Sequence, residues 1–440
     1  MNAGLYRSVW RWHFYAGLFV MPFVLLLSVT GAIYLFKPQI DRWEERAWRD
    51  LPPAPGSPVA QVDAALADFP GARVDSYRVP ERVGDAALIH LALAQGGMRD
   101  VFVSPSGRVL GSLDPEARIS AVVSRLHGNL LIGRMGDWLV ELAASWAIVM
   151  IVTGLYLWWP RGRGLAGVIW PRARAGLRDL HAVTGFWVAG LALILLVSGL
   201  PWAGIWGSAF TTVRAGFGLV KDAPDWKTGA AASHADHDHH AMAVTSPLRA
   251  PLERLPAMVA LARAERLAFP ALIRPPGVTD ARGSPSPGWV VKSEAQNRTL
   301  QRSITIDAAS GRELSRTGFA DKHPIDRLVN YGISWHEGQL FGWVNQLVGV
   351  VTAAALLALV VTSFLLWRRR RPAGLLGAPP VPGTQHLRGV TAIIVALCVL
   401  LPMVAISLTA VLLLEWLVLR RVPATAAWLG LRAAPVRNRP

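Results

Sequence analysis

The chain contains almost no cysteine and few charged residues for its length. Cys398 is the only cysteine among 440 residues, and it lies inside an apolar run. A disulfide framework, a thiolate zinc site and a cysteine-ligated iron–sulfur cluster are therefore excluded within one chain. Charged residues make up only 17% of the sequence, 52% is hydrophobic, and the mean hydropathy is +0.34. This balance predicts several membrane spans that alternate with polar segments.

Acidic residues are also scarce, with 29 Asp and Glu against 45 Lys and Arg, and the formal net charge is +16. Such a basic chain could bind nucleic acid. The arginines, however, cluster at the ends of apolar runs, where they indicate membrane topology rather than a phosphate-binding groove. We therefore predict no nucleic-acid partner.

Five apolar stretches are long enough to cross a bilayer, which requires about 20 residues. They cover residues 14–36, 138–159, 182–205, 340–367 and 389–418. The last stretch contains Pro402 and could form one kinked helix or a tighter hairpin. We favour one helix, so the sequence predicts a fifth, C-terminal span.

The distribution of arginine predicts the orientation in the membrane. Segment 160–181 contains five arginines and a single acid, and segment 368–388 opens with four consecutive arginines and contains no acid. By the positive-inside rule both segments are cytoplasmic, and so is the N-terminus. The long segments 37–137 and 206–339 then lie in the periplasm of a bacterial inner-membrane protein, and 419–440 is a C-terminal tail.

Each long segment has the pattern of a small α+β module. The first has a helix pattern at 59–69 and strand patterns at 72–79, 86–94 and 100–103, and the second has a helix pattern at 252–266 and strand patterns at 288–292 and 302–307. Residues 102–110 and 305–314 look like two copies of one hairpin. The similarity suggests an internal duplication.

The membrane segments repeat the same duplication. A histidine is followed by glycines at offsets of 4 and 18 in two sets: His13, Gly17 and Gly31, and His181, Gly185 and Gly199. A histidine is followed by threonine at 26 and tryptophan at 31 in two further sets: His127, Thr153 and Trp158, and His336, Thr362 and Trp367. We therefore predict an α-helical membrane protein in which the duplicated halves form a four-helix bundle.

The duplication places the four histidines in two pairs. His13 and His181 lie at the cytoplasmic ends of their spans, and His127 and His336 lie on the periplasmic side. Two neutral imidazoles on opposite helices can ligate one haem iron from both faces, whereas zinc and copper prefer three or four protein ligands. Because the chain has no Cys-x-x-Cys-His motif, we predict two b-type haems, one for each pair. No catalytic residue can be named.

The repeated glycines have two interpretations. Gly17 and Gly185 lie one turn after their histidines on the same helix face, and Gly31 and Gly199 lie five turns on, about 27 Å deeper. All four could clear space for a haem, or they could allow helices to pack closely. Four arginines near the histidines are candidate partners for haem propionates. They are Arg11, Arg125, Arg134 and Arg178.

A separate histidine-rich tract lies in the second long segment, among Ala, Ser and Thr. It contains His234, His237, His239 and His240. Such a tract can bind metal ions weakly, and a disordered linker is the alternative that we favour.

Several of these stretches together resemble the PepSY-associated transmembrane family. They are residues 13–17, 126–131, 154–160, 180–185 and 336–339. The resemblance covers roughly residues 7–370, so the fifth stretch lies outside it. It implies that the two modules are PepSY domains, and some members resemble ferric-siderophore reductases with two haems.

On this resemblance we expect an inner-membrane oxidoreductase. Electrons would enter at the inner pair from a quinol or a cytoplasmic reductase and leave at the outer pair to a ferric siderophore or another periplasmic iron chelate. The alternative is a non-redox PepSY protein that acts as a transporter, a sensor or a protease modulator. Parallel repeats and nearly apolar span centres disfavour transport.

Overall fold

The computed structural model describes residues 3–159, 176–220, 252–279, 284–379 and 388–431. The helices are α1 Ala3–Tyr34, α2 Lys37–Glu44, α3 Pro58–Asp68, α4 Ile119–Asn129, α5 Arg134–Trp158, α6 Gly176–Gly199, α7 Gly204–Gly216, α8 Leu255–Ala264, α9 Pro324–His336, α10 Trp343–Arg370, α11 Arg388–Leu400, α12 Pro402–Leu417 and α13 Pro423–Trp428. The strands are β1 Arg73–Arg78, β2 Ala87–Ala92, β3 Met98–Val103, β4 Val109–Leu113, β5 Ala271–Arg274, β6 Gly288–Ser293, β7 Arg302–Asp307 and β8 Glu313–Gly318. They form two compact units: residues 1–32, 126–216 and 347–440 in the membrane unit, and 33–125 and 217–346 in the sheet unit.

Four helices in the described residues are long and apolar enough to cross a membrane: α1, α5, α6 and α10. Each coincides with one of the first four predicted stretches. Helix α1 continues through Pro22, which a membrane helix tolerates because neighbouring groups can satisfy the freed carbonyl. The prediction of four spans is therefore confirmed at the level of helices.

The prediction of a single fifth helix over 389–418 is wrong. The segment forms α11 and α12, of 13 and 16 residues, which are about 20 and 24 Å long and individually too short to cross a bilayer of about 30 Å. The helix is interrupted at Leu401, whose ψ of 85° is far from helical, directly before Pro402. Proline lacks the N–H that would continue the helical hydrogen bonds and disfavours helical backbone in the preceding residue.

The two short helices fold back on each other. Pro379 precedes α11 and Gly430 follows α12, yet the guanidinium of Arg11 donates hydrogen bonds to both of their carbonyls. The hydroxyl of Tyr15 also donates to the carbonyl of Leu429. Because Pro379, Leu429 and Gly430 bond two side chains one helical turn apart on α1, the segment that contains both short helices returns to the place where it began.

The sheet unit contains one eight-stranded antiparallel sheet in the order β4-β3-β2-β1-β5-β6-β7-β8. The two predicted modules contribute four strands each and join where β1 pairs with β5, at Tyr77 with Ile273 and Arg78 with Leu272. The two expected hairpin copies are β3–β4 and β7–β8, and both contain a register shift at the same place. The modules are therefore halves of one sheet.

Apolar side chains recur at alternate positions along the strands, so one face of the sheet forms a hydrophobic core. Ile89, Val101, Ile273 and Trp289 are almost completely buried beneath α3 and α8. Residues of both halves belong to the same hydrophobic cluster. Burial of each large apolar side chain stabilises the fold by about 1.5–3 kcal/mol, which favours a single joined sheet over two separate ones.

The opposite face carries a network of charges around the first half. Nδ1 of His90 lies 2.6 Å from Asp100, and Arg118 bridges Asp100 to Glu45 at 3.7 and 2.8 Å. Burial alone would lower the pKa of His90, but the charge and hydrogen bond of Asp100 outweigh it and raise the pKa. Arg78, which also bonds Glu45, helps to hold the pKa of that carboxyl below its usual range against the effect of burial. His90 is thus part of an ion-pair network.

Candidate functional site: the buried histidines

His13 on α1 lies against α5. Its Nδ1 is 3.0 Å from the carbonyl oxygen of Met150 and 3.2 Å from the hydroxyl of Thr153. A Cβ added at Gly154 would lie only 3.0 Å from Cε1 of the ring, so glycine at this position makes room for the imidazole. Two neighbouring residues of α5, Thr153 and Gly154, thus fix the position of His13.

His181 on α6 lies against α10 in the same way. Its Nδ1 is 3.1 Å from the hydroxyl of Thr362 and is also hydrogen bonded by the backbone of Leu359. Ser363 occupies the position equivalent to Gly154, and its hydroxyl is 3.4 Å from Nδ1. The equivalent threonines of the two repeats, Thr153 and Thr362, therefore contact the equivalent histidines, His13 and His181.

The two inner histidines are electrostatically coupled, since His13 is among the groups that act on His181. Each ring uses Nδ1 to bond the next helix of its own repeat. That the two rings face each other stays a prediction of the duplication.

His127 near the end of α4 lies against the other end of α1. Its Nδ1 is 2.9 Å from the hydroxyl of Thr30, and a Cβ at Gly31 would lie 3.1 Å from Cε1 of its ring. At both histidines a threonine hydroxyl contacts Nδ1, and the glycine that follows it makes room for the ring. The residues are Thr30-Gly31 at His127 and Thr153-Gly154 at His13. Gly31 lies level with His127, as the spacing of 18 residues predicts.

His336 is the last residue of α9 and is partly buried in the sheet unit. It is followed by Glu337, whose pKa is raised chiefly by burial. The chain turns sharply after it at Gly338, where φ is +73° and glycine is strongly favoured. The structure describes His127 and His336 in different units, so their pairing stays a prediction of the duplication.

The sequence profile described as the PepSY-associated TM region matches residues 10–370. The chain belongs to this family. A search of curated proteins finds no match. In this PepSY-associated chain the matched region contains all four histidines and ends before α11, so the fold-back helix pair lies outside the family region.

The other predicted glycines lie between helices. A Cβ at Gly17 would be 3.8 Å from the sulfur of Met150, and one at Gly185 would be 3.8 Å from Leu359. These are ordinary van der Waals distances to α5 and α10, the helices to which His13 and His181 are hydrogen bonded, and they are typical of close helix packing. A role in haem clearance for these two and for Gly199 stays a prediction.

Two of the candidate arginines have partners in the protein. Arg11 bonds the backbone carbonyls that flank the fold-back helix pair, and Arg125 forms a 3.0 Å ion pair with Glu116. Propionate binding by these side chains would require them to exchange these contacts, so the structure gives it no support.

Glu141 serves a purpose that the sequence did not reveal. It is 2% exposed, and its two carboxylate oxygens accept hydrogen bonds from the N–H groups of Ile205 and Trp206, both at 2.9 Å. These N–H groups begin α7, where helices leave donors unsatisfied and favour negative charge. Glu141 is therefore a cap for α7 supplied by another helix.

No group of three or more His, Cys, Asp and Glu that could hold a metal ion occurs in the part of the chain that the structure describes. The histidine-rich tract at His234, His237, His239 and His240 lies outside the described residues. Its predicted weak metal binding stays a prediction.

Proposed function

We propose that this chain is a bacterial inner-membrane oxidoreductase that holds two b-type haems and reduces a periplasmic ferric chelate, such as a ferric siderophore. One observation carries the proposal. His13 and His181 come from equivalent positions of the two repeats, and each is anchored through Nδ1 to the equivalent threonine, Thr153 or Thr362, of the next membrane-spanning helix in its repeat. Two imidazoles held in this way are a typical axial ligand set for haem iron.

The donor set supports haem over other metals. The inner site offers two imidazoles, with no cluster of three or more potential metal ligands around them among the described residues. Both rings bond the protein through Nδ1, which leaves Nε2 as the atom to bind iron. His13 and His181 would hold a haem here, and the haem would supply a one-electron carrier.

The second haem in this proposal uses His127 and His336. Thr30, which contacts His127, lies 17 residues after His13 on α1, or about 26 Å along the helix axis. His13 and Thr30, the residue that contacts His127, therefore lie toward opposite ends of the membrane-spanning helix α1. In the proposed four-helix bundle, the two pairs would occupy opposite membrane faces.

In the proposed orientation, electrons enter on the cytoplasmic side and the ferric chelate is reduced in the periplasm. A quinol or a cytoplasmic reductase supplies electrons at the His13 side, and the eight-stranded sheet lies in the periplasm, where a ferric chelate would bind. Reduction of the chelated iron to Fe(II) weakens its binding by hard oxygen ligands, so the iron is released. The substrate class rests on the family resemblance.

The first experiment measures the haem of the purified protein. We expect a Soret band, two haems per chain by pyridine haemochromogen assay, and complete extraction by acid–acetone because no thioether bond holds the haem. Haem that stays on the polypeptide would refute the b-type assignment. A colourless protein would refute the proposal and favour the non-redox alternative.

The second experiment assigns the ligands. His13→Ala or His181→Ala should each remove one haem, and His127→Ala or His336→Ala should each remove the other and abolish reduction of periplasmic acceptors. His323→Ala is the matched control, because His323 only caps α9 by accepting from the N–H of Ile325. A variant that retains both haems would exclude its histidine as a ligand.

A further inference from the structure

The threonine hydroxyls beside the histidines have a defined hydrogen-bond direction. The hydroxyl of Thr153 lies 2.8 Å from the carbonyl oxygen of Val149 and 2.9 Å from that of Met150, both in its own helix. Its single hydrogen is donated there. Its oxygen is therefore free to accept from Nδ1 of His13, 3.2 Å away, and the carbonyl oxygen of Met150, 3.0 Å from the same Nδ1, can only accept, so Nδ1 carries a proton.

The same direction holds at two more histidines. The hydroxyl of Thr362 lies 2.7 Å from a carbonyl of its own helix and 3.1 Å from Nδ1 of His181. The hydroxyl of Thr30 lies 2.8 Å from a carbonyl of its own helix and 2.9 Å from Nδ1 of His127. Three separate helices thus present a threonine oxygen as an acceptor to a histidine.

An acceptor at Nδ1 decides the chemistry of the other ring nitrogen. A neutral imidazole with its proton on Nδ1 has its lone pair on Nε2. The hydrogen bond also fixes the orientation of the ring and increases the electron donation of Nε2 to a bound metal.

We propose that Thr30 is a positioning residue that selects the Nδ1-protonated tautomer of His127, and that Thr153 and Thr362 support the same tautomer of His13 and His181 together with the backbone of Met150 and Leu359, so that each histidine presents Nε2 to a haem iron. The haem in this statement rests on the proposed function, whereas the tautomer does not. The sequence repeat places Ser198 at the position equivalent to Thr30 in the second half.

A purely structural explanation must be tested against this one, because a threonine in an apolar helix commonly bonds only to its own helix. Thr352 is such a residue: it is 2% exposed in α10, and its hydroxyl donates to the carbonyl of Val348 at 2.7 Å. It precedes Thr362 by ten residues in the same helix. Thr352→Val is therefore a matched control for the loss of a buried threonine hydroxyl.

The first measurement is the histidine tautomer, by NMR of the full chain labelled with ¹⁵N-histidine and produced without haem, because iron bound at Nε2 would itself place the proton on Nδ1. The parent and Thr352→Val should show His13, His181 and His127 protonated at Nδ1. Thr30→Val should convert His127 to a mixture of tautomers, Thr362→Val should change His181 less because the backbone of Leu359 still bonds its Nδ1, and the corresponding serine variants should restore the parent signals. Protonation at Nε2 in the parent, or spectra of the valine variants identical to the parent, would overturn the proposal.

The second measurement is the midpoint potential of each haem in the same proteins. A weaker ligand stabilises ferric iron less, so Thr30→Val should raise the potential of one haem and Thr153→Val or Thr362→Val that of the other, with Thr352→Val unchanged. Unchanged potentials in all the valine variants would overturn the positioning role toward iron. A parent that lacks haem, yet shows threonine-dependent Nδ1 protonation, would refute the proposed function and support the tautomer assignment.

Discussion

Gly154→Ala should remove the inner haem while leaving the fold intact. The new Cβ would lie 3.0 Å from Cε1 and 3.5 Å from Nδ1 of His13, whereas apolar atoms prefer separations of about 3.5–4.0 Å. The ring must therefore move by about 0.5–1 Å. Its Nδ1 bonds, now 3.0 and 3.2 Å long, would then approach or exceed the limit of about 3.2 Å for a normal N–H···O bond.

The free energy of unfolding should change little in this variant. Alanine in place of glycine stabilises a helix interior by about 0.5–1 kcal/mol, and the weakened hydrogen bond costs about 0.5–1.5 kcal/mol. The two effects nearly cancel, so a loss of haem would reflect the displaced ligand rather than misfolding. The assay is the haem content per chain with the thermal unfolding temperature measured on the same sample, and we expect one haem instead of two.

Gly190→Ala is the matched control for this experiment. Gly190 lies in α6, and a Cβ there meets no atom within 4 Å, so both haems should remain. Gly31→Ala should instead remove the outer haem, because its Cβ would lie 3.1 Å from His127. Two haems with unchanged potentials in Gly154→Ala would refute the assignment of His13 as a tightly held ligand.

Three further predictions concern other parts of the chain. Glu141→Gln cannot accept both N–H groups of α7, so it should destabilise the protein by about 1–3 kcal/mol, seen as a lower unfolding temperature, and an unchanged temperature would contradict the cap. His90 has a raised pKa beside Asp100, so its protonation stabilises the fold fully below its unfolded pKa of about 6.5, and this contribution is lost as the pH rises through the higher folded pKa. The stability difference between the parent and His90→Asn should accordingly shrink toward alkaline pH, and a difference that stays constant from pH 5 to 9 would refute this. Deletion of residues 234–240 should leave haem content and ferric-chelate reduction unchanged; full haem with lost reduction would place the tract in the acceptor site and favour a bare metal ion as substrate.

The sequence predicted which residues belong to the candidate site, because their types and spacings repeat, but it did not predict their contacts. The offsets of 4, 18 and 26 identified His13, Gly31 and Thr153, because a duplicated helix must repeat its contacts at the same helical positions. The spacing did not show that Gly31 and Gly154 make room for an imidazole or that Thr30 accepts from His127. Those contacts join different helices, and the helix-to-helix register is set by packing.

The sequence by itself determined the four spans and most of the strands, because hydropathy and alternation are local properties that tertiary contacts seldom override over 20 apolar residues. Only the tertiary structure decided how these elements join. Strand β5 has four residues, too few for a clear pattern, yet its pairing with β1 merges two modules into one sheet. Apolar length alone made 389–418 look like one span, whereas the break before Pro402 and the bonds of Arg11 to both flanks fold it back. Hydropathy shows that residues 389–418 can be buried in apolar surroundings. It does not show the direction of the chain after Pro402, because that depends on contacts with other helices.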